Sequence, residues 1–171
     1  MIMNTTKQDY FEYIIEKLAE KNKDLSSYTT LKSLKLLFFV VAISESTEGN
    51  LLSIFDKFYA MPYGPVESDV YDSLFKNELK KYKISSSGCD IKNDRAIIEI
   101  EEQEKIKIDN SINNLLMENP DILNYTPFKL VDLSHKWSCW KICFAIALNN
   151  SKTSIFMPSD SIRNSVKYYK L

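Results

Sequence analysis

The chain has 171 residues, of which 44% are hydrophobic and 12% aromatic; this composition suits one globular core and argues against a disordered chain. The net charge of −1 and the scarcity of arginine (only Arg95 and Arg163) argue against binding to nucleic acid or to an acidic membrane. Three cysteines without a disulfide spacing, no signal peptide and no long apolar run predict a reduced, cytoplasmic protein without a membrane span.

Two helices are predicted in the N-terminal quarter. Thr6 begins a capping-box-like sequence that ends in Asp9, and apolar residues at helical spacing follow it, so a helix is expected over residues 6–22. Thr30 is expected to cap a second helix over residues 31–44. Residues 36–43 are all apolar, which predicts a central helix that is buried on nearly every side.

The middle of the chain contains a turn of unusual composition. Residues 44–50 are polar and predict a loop, whereas residues 51–59 fit either a short helix or an extended segment. Gly64 is expected to have a positive φ, and Pro65 to occupy the first position of a helix that continues from Val66 to about Leu79.

A small β-hairpin is predicted over residues 82–101, with residues 82–84 pairing with the β-branched run 96–100. A short helix is expected next, between Asp109 as its N-cap and Asn119 as its end.

Three helices are expected in the last third of the chain. Thr126 and Pro127 predict a helix start, and residues 140–148 are apolar at helical spacing. Ser159 or Asp160 is expected to cap a final helix that contains Ile162, Val166 and Tyr169. The predicted fold class is therefore mainly α, an α+β fold with one small β-hairpin, and residues 1–171 are predicted to form a single compact helical domain.

His135 is the only histidine, with Asp132 and Ser134 close to it in sequence. No nucleophile-elbow or cysteine-protease motif surrounds it, so we interpret its imidazole as a hydrogen-bonding group that orders the turn before Trp140. The chain also has only three glycines and no phosphate-binding loop. These features favour a binding protein over an enzyme and predict no cofactor.

A zinc site is a weaker hypothesis. His135, Cys139 and Cys143 recur every four residues, and Cys89 is a possible fourth ligand. Structural zinc sites favour paired cysteines on turns, so we predict no bound metal. Residues 80–83 contain three lysines and residues 99–104 are acidic; we expect these two runs to lie near each other and partly neutralise.

Three segments together resemble the SocA-like antitoxin family, also called the Panacea domain. They are Leu34-Lys35-Leu36-Leu37-Phe38-Phe39, Tyr63-Gly64-Pro65-Val66 followed by Val70-Tyr71, and Leu133-Ser134-His135 followed by Trp140. The resemblance covers roughly residues 30–168. It implies a bacterial or phage-encoded protein that neutralises a cognate protein toxin by binding it, or that delivers the toxin to a protease.

The family signatures also imply where a partner binds. The implied partner-binding residues are Tyr63, Gly64, Pro65, Val66, Tyr71, His135, Trp137 and Trp140. Trp137 replaces an acidic residue that is usual two positions after the histidine, so an aromatic anchor is expected in place of an acidic contact. The alternatives are a phage or mobile-element regulatory protein without a toxin and a hydrolase that uses His135. Neither nucleic acid nor a membrane is expected as a partner.

Overall fold

A computed structural model of the protein describes residues 4–44 and 51–171, so most of the predicted polar loop at residues 44–50 lies outside the described residues. These residues contain seven α-helices: α1 (Lys7–Asn22), α2 (Thr30–Ile43), α3 (Ser68–Phe75), α4 (Glu102–Glu118), α5 (Pro127–His135), α6 (Ser138–Asn149) and α7 (Ser159–Arg163). They also contain five short strands: β1 (Phe58–Met61), β2 (Gly64–Glu67), β3 (Tyr82–Ser85), β4 (Gly88–Ile91) and β5 (Ile155–Phe156). The predicted mainly α fold class is confirmed.

The first helix begins with a complete capping box. The Thr6 hydroxyl accepts a hydrogen bond from the Asp9 backbone N–H, and the Asp9 carboxylate accepts one from the Thr6 N–H at 2.9 Å. Asp9 thus replaces the usual glutamate in satisfying the free backbone donors of the first turn. Helix α1 ends at Lys23, which has a left-handed φ of 55°, close to the predicted end.

Helix α2 lies at the centre of the fold and packs against α4, α5 and β2. All eleven residues 32–42 are buried, including the two lysines at positions 32 and 35. The buried central helix is confirmed. Its cap is Thr29, because the Thr29 side chain accepts the Lys32 N–H; the prediction that Thr30 is the cap is wrong by one residue.

Two small antiparallel sheets accompany the helices. One has the strand order β2-β1-β5 and the other pairs β3 with β4. A tight turn at Pro62 and Tyr63 joins β1 to β2, with Met61 opposite Gly64. The sequence analysis predicted only one hairpin, so the three-stranded sheet is an addition to it.

Pro65 does not begin a helix as predicted. It lies in β2, and α3 begins three residues later at Ser68, where the Glu67 side chain accepts the Val70 N–H at 2.9 Å. The fixed φ of proline suits an edge strand as well as a helix start, and β2 is an edge strand. Residues 51–59 contain both predicted conformations, a 3₁₀ turn at Leu51–Ser53 and the start of β1.

The second strand of the predicted 82–101 hairpin is also misplaced. Strand β4 is Gly88–Ile91, and residues 96–100 are not in a strand. Helix α4 begins at Glu102, so Asp109 is an interior residue and not the predicted N-cap; its carboxylate accepts a hydrogen bond from the Tyr13 hydroxyl at 3.1 Å. The acidic run at residues 99–104 therefore leads into the first turn of a helix, where negative charge is stabilised.

The lysines at positions 80 and 81 lie against α1 and form their ion pairs with that helix, and none with the acidic run among the described residues. Lys80 forms an ion pair with Asp9, and Lys81 pairs with Glu16 at 3.3 Å. The fully buried carboxylate of Glu12 accepts the backbone N–H groups of residues 80, 81 and 82 at 2.9, 2.7 and 3.0 Å. Helix α1 therefore holds the start of β3 through buried polar contacts.

At the other end of the chain, α5 begins at the predicted Thr126-Pro127 pair, and the Thr126 side chain accepts the Lys129 N–H. Helix α7 is shorter than predicted. Neither Ser159 nor Asp160 caps it through its side chain, and Val166 and Tyr169 lie beyond its end.

The core forms one cluster of buried apolar side chains that includes residues from Phe11 in α1 to Ile162 in α7. The division of the chain into domains stays a prediction. None of the helices in residues 4–44 and 51–171 is long and apolar enough to cross a membrane.

Candidate functional site: a clamped hairpin beside an aromatic groove

The three family-like segments converge on the β1–β2 hairpin. From α2, the Lys35 ammonium donates a hydrogen bond to the Pro65 carbonyl. From α6, the Trp140 indole N–H donates to the Met61 carbonyl at 2.8 Å. The ring of His135, the last residue of α5, makes a hydrogen bond to the backbone of Pro62. Three helices thus hold the backbone of the β1–β2 hairpin.

Gly64 allows this close approach. Its φ of +96° lies in the region that favours glycine, and the predicted positive φ is confirmed. A Cβ at this position would collide with the Ser134 hydroxyl and lie 3.1 Å from the Lys35 ammonium. A side chain would therefore push the hairpin away from α5 and α2. We call Lys35, Gly64, Ser134, His135 and Trp140 the hairpin clamp.

Lys35 is the most unusual group in the clamp. It is fully buried, and no carboxylate within the described residues forms an ion pair with it. Burial lowers the pKa of its ammonium from 10.5 to about 7, because a charged group loses its hydration in the interior. The Lys35 ammonium is held by its hydrogen bond to the Pro65 carbonyl and not by an ion pair with a carboxylate of the described residues.

His135 is arranged as a packing and hydrogen-bonding residue. Its ring lies on that of Trp140, and its Nε2 atom is buried without a hydrogen-bond partner among the described residues. Burial and the nearby charge of Lys35 lower the pKa of His135. The adjacent Ser134 hydroxyl donates to the Val131 carbonyl at 2.8 Å, so it is not directed at the histidine.

Trp137 is not an exposed anchor as expected. It is fully buried, its ring packs edge-on against Phe38 at 4.9 Å, and its indole N–H donates to the Tyr168 carbonyl at 2.8 Å. Trp140 is partly buried. Of the two tryptophans expected at the partner-binding surface, Trp137 therefore belongs to the core.

The three cysteines are free and buried. Burial raises the pKa of each thiol, that of Cys89 to about 12, so these groups are held as neutral thiols at physiological pH. Within residues 4–44 and 51–171, no three His, Cys, Asp or Glu side chains are placed to bind one metal ion.

An apolar cavity of about 460 Å³ opens beside the clamp. Tyr63 at the hairpin tip and Phe128 in the first turn of α5 form one wall, and their rings make an edge-to-face contact with centroids 5.9 Å apart. Both side chains are largely exposed, Tyr63 by 58% and Phe128 by 62%. Leu31, Leu34, Met61 and Val66 are among the remaining residues that line this cavity.

A second cavity, of about 320 Å³, continues from the first. The two share Thr30, Tyr71 and Ser86, and the second adds Phe75, which is 84% exposed, and Lys83. We call the combined surface the aromatic groove, after its four exposed rings, Tyr63, Phe128, Tyr71 and Phe75. Clusters of exposed aromatic side chains of this kind are typical of protein-binding surfaces.

The predicted site residues fall into three groups. Tyr63, Val66 and Tyr71 line the aromatic groove. Gly64, Pro65, His135 and Trp140 form or contact the clamp behind it, and Trp137 lies in the core. The family-like motifs thus contain more of the scaffold than of the accessible surface.

The sequence analysis missed Phe75 and Phe128. Phe128 had a detectable signal, because the buried residues Leu130 and Leu133 define the inner face of α5 and leave position 128 off that face. Phe75 had the same kind of signal, because Val70 and Leu74 define the inner face of α3 and leave Phe75, one turn after Tyr71, off that face.

A family model described as "Antitoxin SocA-like, Panacea domain" matches residues 34–141, more than half of the chain. The match begins at Leu34, within α2, and ends just after Trp140. It therefore includes every residue of the clamp and all four rings of the groove. No curated protein and no solved structure matches the chain.

Proposed function

The chain belongs to the antitoxin SocA-like Panacea family, and from this membership we propose that it neutralises a cognate protein toxin by binding it in the aromatic groove. The observation that supports this location is the exposure of four aromatic rings around one apolar depression. Aromatic side chains contribute large contact areas at low entropic cost, and binding hot spots are enriched in tyrosine.

The hairpin clamp supports this proposal by making the surface rigid. Tyr63 is at the tip of a turn whose flanking residues, Met61 and Pro65, both accept hydrogen bonds from side chains of the helices behind it. A partner that binds Tyr63 does not have to order a mobile loop first, so more of the contact energy appears as affinity.

Neutralisation by masking is the simplest form of the proposal. A toxin segment that fills the groove is covered on one side, and the activity of the toxin is blocked if that segment is needed for function. Delivery of the bound toxin to a protease uses the same contact and adds a second partner. In both forms the chain acts as a cytoplasmic binding protein and not as an enzyme.

Co-expression tests the proposal. The neighbouring reading frame is induced in a bacterial host with and without this chain, and growth is followed. We expect the neighbouring product to arrest growth, the chain to restore it, and the two proteins to co-purify. Growth arrest that this chain does not relieve, or no arrest at all, would contradict an antitoxin role and favour the regulatory alternative.

If rescue requires a host protease, deletion of that protease abolishes it while the complex still forms. Rescue that persists in protease-deficient hosts instead supports masking. The two mechanisms are thus separated by the same strain set.

A further inference from the structure

We propose that the partner segment bound in the aromatic groove carries an apolar anchor with an acidic residue beside it. This inference rests on the proposed function, because it identifies the chemistry of the toxin segment that the groove accepts. It follows from the different character of the two ends of the groove.

The end near Tyr63 and Phe128 is apolar. Its lining contains leucine, methionine, valine, proline and aromatic side chains, together with Thr29, Thr30 and Ser86, and no charged group. A volume of about 460 Å³ accommodates one or two large apolar side chains. Such an end recognises an aromatic or aliphatic anchor through burial of apolar surface.

The end near Tyr71 and Phe75 is more polar than the first and carries a positive charge. Besides the two rings, Leu74, Ile84 and Thr30, it is lined by Lys83, Asn77, Ser85 and Ser86, and Lys83 is the only charged side chain among the described residues that line either cavity. No carboxylate of the described residues lines the groove. The N-terminal end of α2 opens on the same surface at Thr30, and its backbone dipole adds positive potential.

Lys83 is available to a partner. It is exposed, and among the described residues no acidic group forms an ion pair with it, although Asp90 lies opposite in the strand register. The nearest acids of α3 do not compete for it. Asp69 is engaged by Lys7 at 2.8 Å and by Lys57 at 3.3 Å, and Asp72 does not line the groove.

These contacts discriminate between partner segments. A carboxylate beside the anchor is attracted to Lys83, and this attraction strengthens as the bound segment displaces water from the groove, because charges interact more strongly there than in bulk solvent. A basic segment is repelled, and a neutral one leaves the ammonium partly desolvated without a partner. Positive potential at one end also fixes the direction in which the segment lies.

Selection from a library of displayed random short peptides tests this inference. The full-length chain is immobilised, and a parallel selection uses the Phe128→Ala variant, which removes one ring of the groove. We expect the peptides that are enriched only on the unmodified chain to contain a large apolar residue and an excess of Asp and Glu over the starting library. Enrichment without an acidic excess, enrichment that is equal on both proteins, or no enrichment would overturn the inference.

Lys83 variants then test the charge directly. Binding of the selected peptides to Lys83→Gln should be about two- to fivefold weaker at physiological ionic strength, and binding to Lys83→Glu weaker still. Lys152→Glu is the matched control, because it changes the net charge equally at an exposed position outside the groove. Equal effects of Lys83→Glu and Lys152→Glu would mean that only net charge matters and would overturn the inference.

The two proposals fail in different ways. The peptide selection needs no toxin, so an acidic preference can be established even if the neighbouring reading frame is not toxic. Rescue that is unaffected by Lys83→Glu, with a toxin that binds the groove, would contradict the acidic partner and leave the antitoxin role intact.

Discussion

The imidazole of His135 lies flat on the indole of Trp140, with ring centroids 3.8 Å apart and ring planes only 11° apart. The same indole donates its N–H to the Met61 carbonyl, so one stacked pair joins the end of α5, the start of α6 and the β1–β2 hairpin. The pair explains why a histidine and a tryptophan five residues apart occur together in the family-like motif. They fix the turn that carries Tyr63.

Removal of single rings from the groove should abolish function and leave folding intact. Tyr63→Ala and Phe128→Ala each remove an exposed ring of the proposed partner-binding surface, so we expect a loss of binding free energy of about 1–3 kcal/mol and a loss of growth rescue. Because both residues are largely exposed, the free energy of unfolding should change by less than about 1 kcal/mol.

Met117→Ala is the control for these variants, because Met117 is 80% exposed on α4 and does not line the groove. Full rescue by Tyr63→Ala and Phe128→Ala proteins with unchanged melting would place the interface elsewhere.

Gly64→Ala should destabilise the protein by about 2–4 kcal/mol. Part of this cost is the left-handed backbone, and part is the collision of the new Cβ with Ser134. Combining Gly64→Ala with Ser134→Gly removes the collision but not the backbone strain, so urea titration should show a partial recovery. Equal stability of Gly64→Ala and the unmodified chain would show that the hairpin moves without cost.

The stability of the protein should rise with pH above neutrality because of Lys35. Its pKa is about 7 when folded and about 10.5 when unfolded, so the unfolded chain binds more protons between these values. The free energy of unfolding then increases with pH, with a slope of up to about 1.4 kcal/mol per pH unit.

Lys35→Met keeps the length of the side chain and removes the titration. The difference in unfolding free energy between the two proteins, measured from pH 7 to pH 9, cancels the contributions of the tyrosines and cysteines. A difference that does not depend on pH would show that Lys35 titrates normally. The test depends only on how this difference changes with pH, since loss of the hydrogen bond to Pro65 lowers the stability of Lys35→Met at every pH.

Glu12→Gln should cost about 2–4 kcal/mol although it changes a single atom. The buried carboxylate accepts three backbone N–H groups from residues 80–82, and an amide offers one oxygen and places an NH₂ group against a donor. Hydrogen exchange should show faster opening of β3 in this variant. Glu16→Gln, which affects only the partly exposed pair with Lys81, is the control and should change stability by less than about 1 kcal/mol.

The parts of the fold that were predicted correctly depend on local chemistry. Thr6 and Thr126 cap helices because their hydroxyls reach N–H groups three residues away, which the sequence shows directly. Helix α2 is apolar all round, so its central position follows from composition alone. Pro65 was misassigned because its preset φ suits both a strand and a helix start. Residues 96–100 were misassigned because β-branched residues also occur outside strands. In both cases the pairing of strands in the folded chain decides the outcome.

The candidate site was predicted only in part for the same reason. The motif residues lie together around the candidate site, but they differ in burial: Trp137 is in the core while Tyr63 is at the surface. Phe75 follows Tyr71 by one turn of α3, but Phe128 is far from both in sequence and meets Tyr63 only in the folded chain. The groove combines residues of several segments, so the periodicity of any one segment does not predict it.

The separation of clamp from groove has a consequence for how this surface can change over generations. The clamp residues are buried or partly buried and are constrained by contacts, whereas the rings at positions 63, 75 and 128 are largely exposed. If the groove binds the partner as proposed, substitutions of these rings alter what is recognised and change folding stability little, because exposed positions tolerate replacement. Because the clamp holds the hairpin without using these rings, new partner preferences can be acquired one ring at a time.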